Sequence, residues 1–210
     1  MALLEELREA IVGGQAKLAV AKVSEGLADG IEAGTLLREG LIAAMAQVGQ
    51  LYEEGEIFVP EMLVAARAMT AALTVLKPHL VEEGVASSGK VAIGTTQGDL
   101  HDIGKNLVAM MLEGSGYEIV DLGVDVPADK FIQAIKDGAD VVAMSALLTT
   151  TMTNMQLAIE AIKAAGLRDQ VRIIIGGAPI TKSYADEIGA DGYAEDASSA
   201  VRLVKEVLAA

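Results

Sequence analysis

The spacing of apolar residues divides the chain into two parts with different patterns. From residue 1 to about residue 84, apolar positions recur at helical intervals, and glycines or short polar breaks separate the runs. The pattern predicts four helices near residues 2–13, 15–29, 34–54 and 60–82, with Pro60 in the first turn of the last helix. This part of the sequence therefore predicts a four-helix bundle.

The second part alternates short β-rich runs with amphipathic helices. After a small, polar linker at residues 82–90, the strand-like runs read KVAIGTT, YEIVDLG, DVVAMSALL, VRIIIGGA and DGYAED. Alternating βα units are typical of a parallel sheet with helices on both faces. We expect a doubly wound, Rossmann or flavodoxin-like domain with five parallel strands in the order 2-1-3-4-5. The predicted domains are residues 1–84 and 85–210.

Composition narrows the classes of partner. The formal net charge is −14 and the 16 Lys and Arg residues are spread along the chain, which argues against a nucleic-acid partner. The sequence starts with acidic residues at helical spacing, and it contains no uninterrupted apolar run of about 20 residues, so we expect neither a leader nor a membrane span. The predicted location is the cytoplasm. The absence of cysteine excludes thiolate metal sites.

Unusual polar residues follow three of the predicted strands. The segment GDLHDIG follows the first strand, Ser145 closes the third, and Gly176 and Gly177 close the fourth. Ligands of open α/β sheets bind outside the carboxyl ends of the strands, where the strand order reverses. The sequence therefore predicts a binding site at this edge of the sheet.

Nucleotide and hydrolase chemistry fit this edge poorly. A phosphate loop needs four residues between its glycines, whereas five separate Gly98 from Gly104, and no GxGxxG follows the first strand. Asp99, His101 and Ser145 have the residue types of a hydrolase triad, but no GxSxG surrounds the serine.

A metal held mainly by a cofactor fits better. The chain has two histidines, and His79 lies in the other half, so His101 is a lone donor with Asp99 two residues away. One imidazole oriented by a carboxylate suits a metal whose other ligands come from a macrocycle, as in haem or a corrinoid. The alternative is a histidine at a helix N-terminus that is bonded to Asp99 and has no further role.

These residues resemble a known family. Asp99-Leu100-His101-Asp102-Ile103-Gly104, Ser145-Ala146-Leu147 and Gly176-Gly177 are similar to the DxHxxG…SxL…GG signature of B12-binding domains. The resemblance implies a cobalamin or related corrinoid bound base-off and His-on, with His101 as the lower cobalt ligand. Asp99 and then Ser145 would form a hydrogen-bond relay from it that tunes the cobalt. The implied cofactor-binding residues of this domain are Gly98, Asp99, His101, Asp102, Ile103, Gly104, Ser145, Leu147, Thr149, Gly176 and Gly177. Of these, Leu147, Thr149, Gly176 and Gly177 would line the channel for the nucleotide tail.

The N-terminal half extends the resemblance. Residues 45–69 are similar to the helical cap of methionine synthase and of corrinoid proteins in anaerobic methyltransferase systems. In such a cap Phe58, Met62 and Leu63 would shield the upper face of the corrin, or they would belong to the bundle core.

The resemblance implies a methyl carrier that is not expected to be catalytic alone. Its partners would be a substrate-specific methyltransferase, an acceptor methyltransferase using tetrahydrofolate or a thiol, and a reductive activase. Among methanol, methylamines and methoxylated aromatics, we expect a methoxylated aromatic as the methyl donor. The alternatives are the B12-binding subunit of a radical mutase and a B12-dependent sensor, although the chain has no Trp and no basic N-terminal helix.

Overall fold

The N-terminal half of the protein is helical in the computed structural model, which describes residues 2–209. The described chain divides into two compact units, and the first comprises the residues up to Ser88 together with Glu113–Gly116. The helices of its N-terminal part are α1 (Ala2–Val12), α2 (Ala16–Ala28), α3 (Ala33–Thr35), a π-helix (Leu36–Ile42), α4 (Ala43–Glu53) and α5 (Val59–Glu82). The four predicted helices are confirmed, since α3, the π-helix and α4 follow each other without a break and match the predicted run at 34–54.

Local sequence explains where the longest helix begins. Phe58 is extended and precedes α5, and the Glu61 carboxylate accepts a hydrogen bond of 3.1 Å from the Phe58 backbone N–H. Pro60 lies in the first turn, where its missing N–H leaves no helical hydrogen bond unmade. The buried side of α5 consists mainly of alanines, methionines and leucines, which form part of the bundle core.

α5 is also, by length and composition, a helix that could cross a membrane, the single one among residues 2–209. The core helix of a helical bundle meets the same two criteria, so one such helix is weak evidence for a membrane span. Helix length therefore gives little support to a membrane location.

The second unit comprises Gly89–Leu112 and the chain from Tyr117 onward. The predicted boundary after residue 84 lies close to the division at Ser88 and Gly89. Its strands are β1 (Lys90–Thr96), β2 (Glu118–Val126), β3 (Val141–Ser145), β4 (Arg172–Gly176) and β5 (Gly192–Ala194). Its helices are α6 (Ile103–Gly114), α7 (Ala128–Lys136), α8 (Thr149–Ala164), a short 3-10 helix (Arg168–Gln170), α9 (Lys182–Ile188) and α10 (Ala197–Ala209).

The strands form one parallel sheet in the order β2-β1-β3-β4-β5, which confirms the predicted topology. Thr95 of β1 pairs with Ser145 of β3, and Ser145 pairs with Gly176 of β4, so these three strands end at the same level. The order reverses between β1 and β3, and this reversal places the loops after these two strands side by side.

Both faces of the sheet are buried. One face packs with Phe131 of α7, Met155 and Ile159 of α8, and residues of α9. The other face packs with Leu112 of α6 and Val204 of α10. The core strands β1, β3 and β4 are almost continuously buried, as expected for a sheet covered on both sides.

Candidate functional site

The segment that carries His101 is a tight turn between β1 and α6, residues 97–102, which we call the His101 turn. Two bonds fold it back onto the end of β1. The Thr95 hydroxyl donates to the carbonyl oxygen of His101 at 2.8 Å, and the Asp99 N–H donates to the carbonyl oxygen of Thr96 at 3.1 Å. The position of His101 is therefore fixed relative to the strand.

A buried carboxylate orients the imidazole. Asp99 is fully buried, and its Oδ1 accepts hydrogen bonds from the His101 backbone N–H (3.1 Å) and from the ring Nδ1 (2.7 Å). An ionised carboxylate only accepts hydrogen bonds, so Nδ1 carries a proton, and in the neutral ring the lone pair lies on Nε2. The His101 side chain is 52% exposed, and among residues 2–209 no hydrogen bond to its Nε2 is present. The fold thus leaves the second ring nitrogen, Nε2, without a hydrogen-bond partner among the described residues, on a side chain that is half exposed.

The second oxygen of Asp99 is held by the segment that follows β3. Oδ2 accepts hydrogen bonds from the backbone N–H groups of Leu147 (2.8 Å) and Leu148 (3.2 Å) and from the Thr151 hydroxyl (2.7 Å). Burial by itself would raise the pKa of Asp99, but these bonds and those from His101 favour the charged form. Together they hold the pKa of Asp99 well below its usual range, so the carboxylate stays ionised at neutral pH.

The hydroxyl in this network differs from the predicted one. The family resemblance implied Ser145 as the next group after Asp99 in the relay, whereas Thr151 makes this contact. Within residues 2–209 no hydrogen bond joins Ser145 to Asp99 or to His101, because Ser145 is still part of β3 and Thr151 lies one turn into α8. Thr151 lies three residues after the extended Leu148, and this spacing could have identified it from the sequence as the contacting hydroxyl.

Exposed apolar side chains lie at the same edge of the sheet as the exposed imidazole. In the second unit the exposed large apolar residues are Leu100, Ile103, Val124, Leu147, Leu148 and Leu157. The first five lie in or beside the segments that follow the carboxyl ends of β1, β2 and β3, and Leu157 lies further along α8. Exposed apolar groups around one polar ligand are typical of a surface that binds a large, partly apolar molecule.

The glycine pair after β4 allows two segments to approach closely. Gly177 has a φ of 125°, and a Cβ at this position would lie 1.9 Å from the carbonyl oxygen of Ala146. A Cβ on Gly176 would lie 3.0 Å from the carbonyl oxygen of Ala194. No side chain fits at position 177, so the predicted need for glycine there has a steric cause.

The remaining predicted residues are placed as follows. Asp102 is exposed and accepts a hydrogen bond from the Asn106 side chain at 3.1 Å, directly before α6. Thr149 is exposed at the start of α8, and a Cβ on Gly104 would meet open space. Their contact with a cofactor stays a prediction.

Two of the three candidates in the helical unit, Phe58 and Met62, differ strongly in exposure. Phe58 is 66% exposed, whereas Met62 is one of the largest fully buried side chains of the protein. Met62 therefore has the environment of a bundle-core residue, and Phe58 is the side chain that a ligand could contact directly.

The arrangement can serve a metal that brings its own ligands. No group of three or more metal-ligating side chains occurs in residues 2–209, and the Asp99, His101 and Ser145 triad is not assembled. One imidazole with a fixed tautomer can donate a single ligand, and the exposed apolar residues can contact an organic ring. The fold and site thus define a binding protein for a metal-bearing macrocycle, and their donor set fits a corrinoid.

Comparison with known proteins gives the family. A model of the B12 binding domain matches residues 89–202, and a second B12 binding domain model matches residues 3–77. The chain belongs to the B12-binding family. It is 44% identical over 210 residues to dimethylamine corrinoid protein 1 of Methanosarcina acetivorans, with 99% of this chain and 98% of that protein covered. It is also 44% identical over 209 residues to the trimethylamine corrinoid protein of Methanosarcina barkeri, with 98% and 96% covered.

Solved structures show the same fold. The methanol:cobalamin methyltransferase complex MtaBC from Methanosarcina barkeri contains a chain that matches with a TM-score of 0.88 and 28% identity, covering 99% of this chain and 80% of that one. A cobalamin-binding protein from Desulfitobacterium hafniense matches with a TM-score of 0.80 and 30% identity, covering 97% of both chains. The predicted fold class, a helical cap and a five-stranded parallel B12-binding domain, is confirmed.

Proposed function

We propose that this protein is a corrinoid protein that carries a methyl group between two methyltransferases. The observation that carries the proposal is His101, whose Nε2 is free and exposed while its Nδ1 is held at 2.7 Å by the buried Asp99. The full-length similarity to di- and trimethylamine corrinoid proteins supports a carrier as the function of the whole chain.

His101 would be the lower cobalt ligand of a corrinoid bound base-off and His-on. The fixed proton on Nδ1 supports this assignment, because it leaves the lone pair of Nε2 available and prevents the ring from turning. Thr151 would replace Ser145 as the hydroxyl that holds Asp99 in the charged state. The relay would thus run from His101 through Asp99 to Thr151.

The loops beside His101 would bind the rest of the cofactor. Leu100 and Ile103 would contact the corrin ring, since both are exposed next to the imidazole. The proposed channel for the nucleotide tail is lined by Leu147, Thr149, Gly176 and Gly177, and Ser145 remains a proposed cofactor-binding residue. The steric demand at Gly177 supports a close approach of backbone segments there.

A bound corrinoid supplies a cobalt ion that can accept a methyl group and give it up again. The protein's own residues would orient this ion and limit its contact with water. The exposed Phe58 is the proposed cap residue for the upper face, and a single apolar side chain there would slow the loss of the methyl group to solvent.

The first partner is a substrate-specific methyltransferase. The MtaBC structure is a methyltransferase complex with a chain similar to this protein, and this supports a methyltransferase as partner. The acceptor methyltransferase, with tetrahydrofolate or a thiol as methyl acceptor, and the reductive activase are further proposals, as is the cytoplasmic location. For the methyl donor, the relatives named for di- and trimethylamine favour methylamines over the methoxylated aromatics that the sequence analysis preferred.

The alternatives have less support. The full-length relatives described above are corrinoid proteins, and none of the comparisons described above is with a mutase subunit or a sensor.

The test is cofactor retention and its dependence on one histidine. The purified protein is incubated with hydroxocobalamin and desalted, and its visible spectrum is recorded. We expect retained corrinoid with the spectrum of an imidazole-bound cobalt. His101→Ala should lose this spectrum, whereas His79→Ala, which removes the other histidine of the chain, should keep it.

Two results would contradict the proposal at different levels. If the wild-type protein elutes without any corrinoid, the carrier function is wrong. If His101→Ala retains a corrinoid with the wild-type spectrum, the protein binds the cofactor but His101 is not the lower ligand.

A further inference from the structure

The end of the edge strand β2 pairs irregularly with β1. Lys90 to Ile93 pair one by one with Glu118 to Asp121, but Gly94 then pairs with Gly123 and Thr96 with Val126. β2 therefore contains an extra residue at two places within a few positions. Bulges of this kind bend a strand and redirect its side chains, and they are frequent next to functional sites.

The first irregularity follows Asp121, which binds a buried lysine. The Lys105 ammonium lies 2.6 and 2.7 Å from the two carboxylate oxygens of Asp121. The Lys105 side chain is 2% exposed although the Asp121 side chain is 46% exposed. A buried cation in the first turn of a helix is unfavourable without a partner, because desolvation and the helix dipole both oppose it. Asp121 thus fixes the first turn of α6 through Lys105, which lies four residues after His101.

The second irregularity contains Asp125, which binds the other side of the His101 turn. Asp125 is the one non-glycine residue with positive φ (53°) in the described part of the chain. Its carboxylate accepts a hydrogen bond of 2.7 Å from the Gly98 N–H, and its own N–H donates to the carbonyl oxygen of Asp99 at 3.0 Å. This pair of bonds joins the end of β2 to the part of the His101 turn that precedes His101.

We propose that the irregular end of β2 positions the His101 imidazole, with Asp121 and Asp125 as the positioning residues. Asp121 acts through Lys105, and Asp125 acts through Gly98 and Asp99. The strand order explains the arrangement, because β1 lies between β2 and β3. The segment after β3 holds the Asp99 carboxylate from one side, and the end of β2 holds the backbone of the same turn from the other.

This role differs from general stabilisation in its consequence for the ring. Asp99 can orient His101 only while the backbone of the His101 turn stays in place, since the 2.7 Å bond to Nδ1 depends on both residues. Loss of either support from β2 should loosen the Nδ1 contact and allow the second tautomer, with the proton on Nε2. The effect on the imidazole is independent of any cofactor, whereas the effect on corrinoid binding rests on the proposed function.

The test uses a pair of variants at one position. Asp125→Gly removes the carboxylate, and glycine adopts the positive φ of this position without strain. Asp125→Asn keeps an amide oxygen as hydrogen-bond acceptor, and asparagine also tolerates this conformation. Lys105→Met removes the second support and retains a long apolar side chain. Asp169→Asn, at an exposed aspartate of the 3-10 helix, is the control for the loss of one charge.

The first measurement is the imidazole 15N spectrum of the cofactor-free protein. The two histidines of the chain are assigned with His101→Ala. In the wild type we expect His101 in one tautomer with the proton on Nδ1. Asp125→Gly and Lys105→Met should shift both ring nitrogens towards averaged values, and Asp125→Asn and Asp169→Asn should match the wild type.

The second measurement is corrinoid retention, for which we expect about a tenfold loss in Asp125→Gly and in Lys105→Met. If both variants are folded by circular dichroism and their His101 signals superimpose on those of the wild type, the positioning role is wrong. If these signals change but no variant and no wild type holds a corrinoid, the positioning role stands and the proposed function fails.

Discussion

Replacement of Asp99 by asparagine should both destabilise the protein and reverse the tautomer of His101. The carboxylate accepts two hydrogen bonds at Oδ1 and three at Oδ2. An asparagine side chain has one accepting oxygen, and its NH2 group would face donors at the other position. The least costly orientation keeps the oxygen towards Leu147, Leu148 and Thr151 and turns the NH2 group towards His101.

In this orientation the His101 backbone N–H loses its partner, and the ring keeps a hydrogen bond only if Nδ1 becomes the acceptor. The proton then moves to Nε2, which can no longer ligate a metal. A buried donor left without a partner costs about 1–3 kcal/mol, and the other bonds lose their charged acceptor. We therefore expect Asp99→Asn to lower the free energy of unfolding by roughly 2–5 kcal/mol at pH 7.

The expected pH dependence has a definite sign. The pKa of Asp99 is lowered in the folded state, so the carboxylate stabilises the fold above the ordinary aspartate value of about 4. This contribution decreases as the pH falls below that value and the unfolded chain binds the proton first. The difference in stability between the wild type and Asp99→Asn should be largest at neutral pH and shrink in acid.

The assay is urea unfolding at pH 7 and at pH 3.5, together with the imidazole 15N spectrum of the native state. Asp169→Asn serves as the matched control and should unfold within about 0.5 kcal/mol of the wild type. The reasoning is refuted if Asp99→Asn is as stable as the control at pH 7, or if its His101 ring still carries the proton on Nδ1.

Three further predictions concern other parts of the protein. Gly177→Ala places a methyl group 1.9 Å from the carbonyl oxygen of Ala146 at a φ of 125°. It should lower the free energy of unfolding in urea by about 2–5 kcal/mol, and a decrease of less than about 1 kcal/mol would contradict the steric argument. Met62→Ala should lower the free energy of unfolding by about 2–4 kcal/mol, because Met62 is fully buried. Phe58→Ala should change it by less than about 0.5 kcal/mol and should instead speed oxidation of a bound, reduced corrinoid. Equal unfolding curves for the two variants would argue against a core role for Met62 and a surface role for Phe58. Hydrogen bonds from two backbone N–H groups at the start of α3 lower the pKa of Glu83. Glu83→Gln should therefore unfold at a lower urea concentration than the wild type at pH 7. The urea midpoints of the two proteins should converge below about pH 4.5.

Most of the secondary structure and the sheet order could be predicted from the periodicity of apolar residues. Helical spacing marks the runs that form the bundle, and short β-branched runs mark the core strands. The irregular part of β2 could not be predicted in this way, because an extra residue in an edge strand leaves its hydropathy almost unchanged. The π-helix at Leu36–Ile42 was missed for the same reason, since it continues the helical run on both sides.

The site was predictable where neighbours in sequence are neighbours in space. Asp99 and His101 are two residues apart, and their contact was correctly expected. Thr151 was missed in favour of Ser145, because the choice between two hydroxyls after β3 depends on how α8 begins. The ion pair of Lys105 with Asp121 depends on the register of β2, which no local pattern encodes.

The hydrogen bonds that hold Asp99 also restrict when the site can form during synthesis of the chain. The donors Leu147, Leu148 and Thr151 lie 48, 49 and 52 residues after Asp99. A nascent chain that ends after β2 contains the whole DLHDIG segment but none of these donors. On the ribosome, His101 would therefore become a competent metal ligand only after β3 and the start of α8 have emerged and joined β1. A fragment or graft that transfers the histidine segment alone should fail for the same reason.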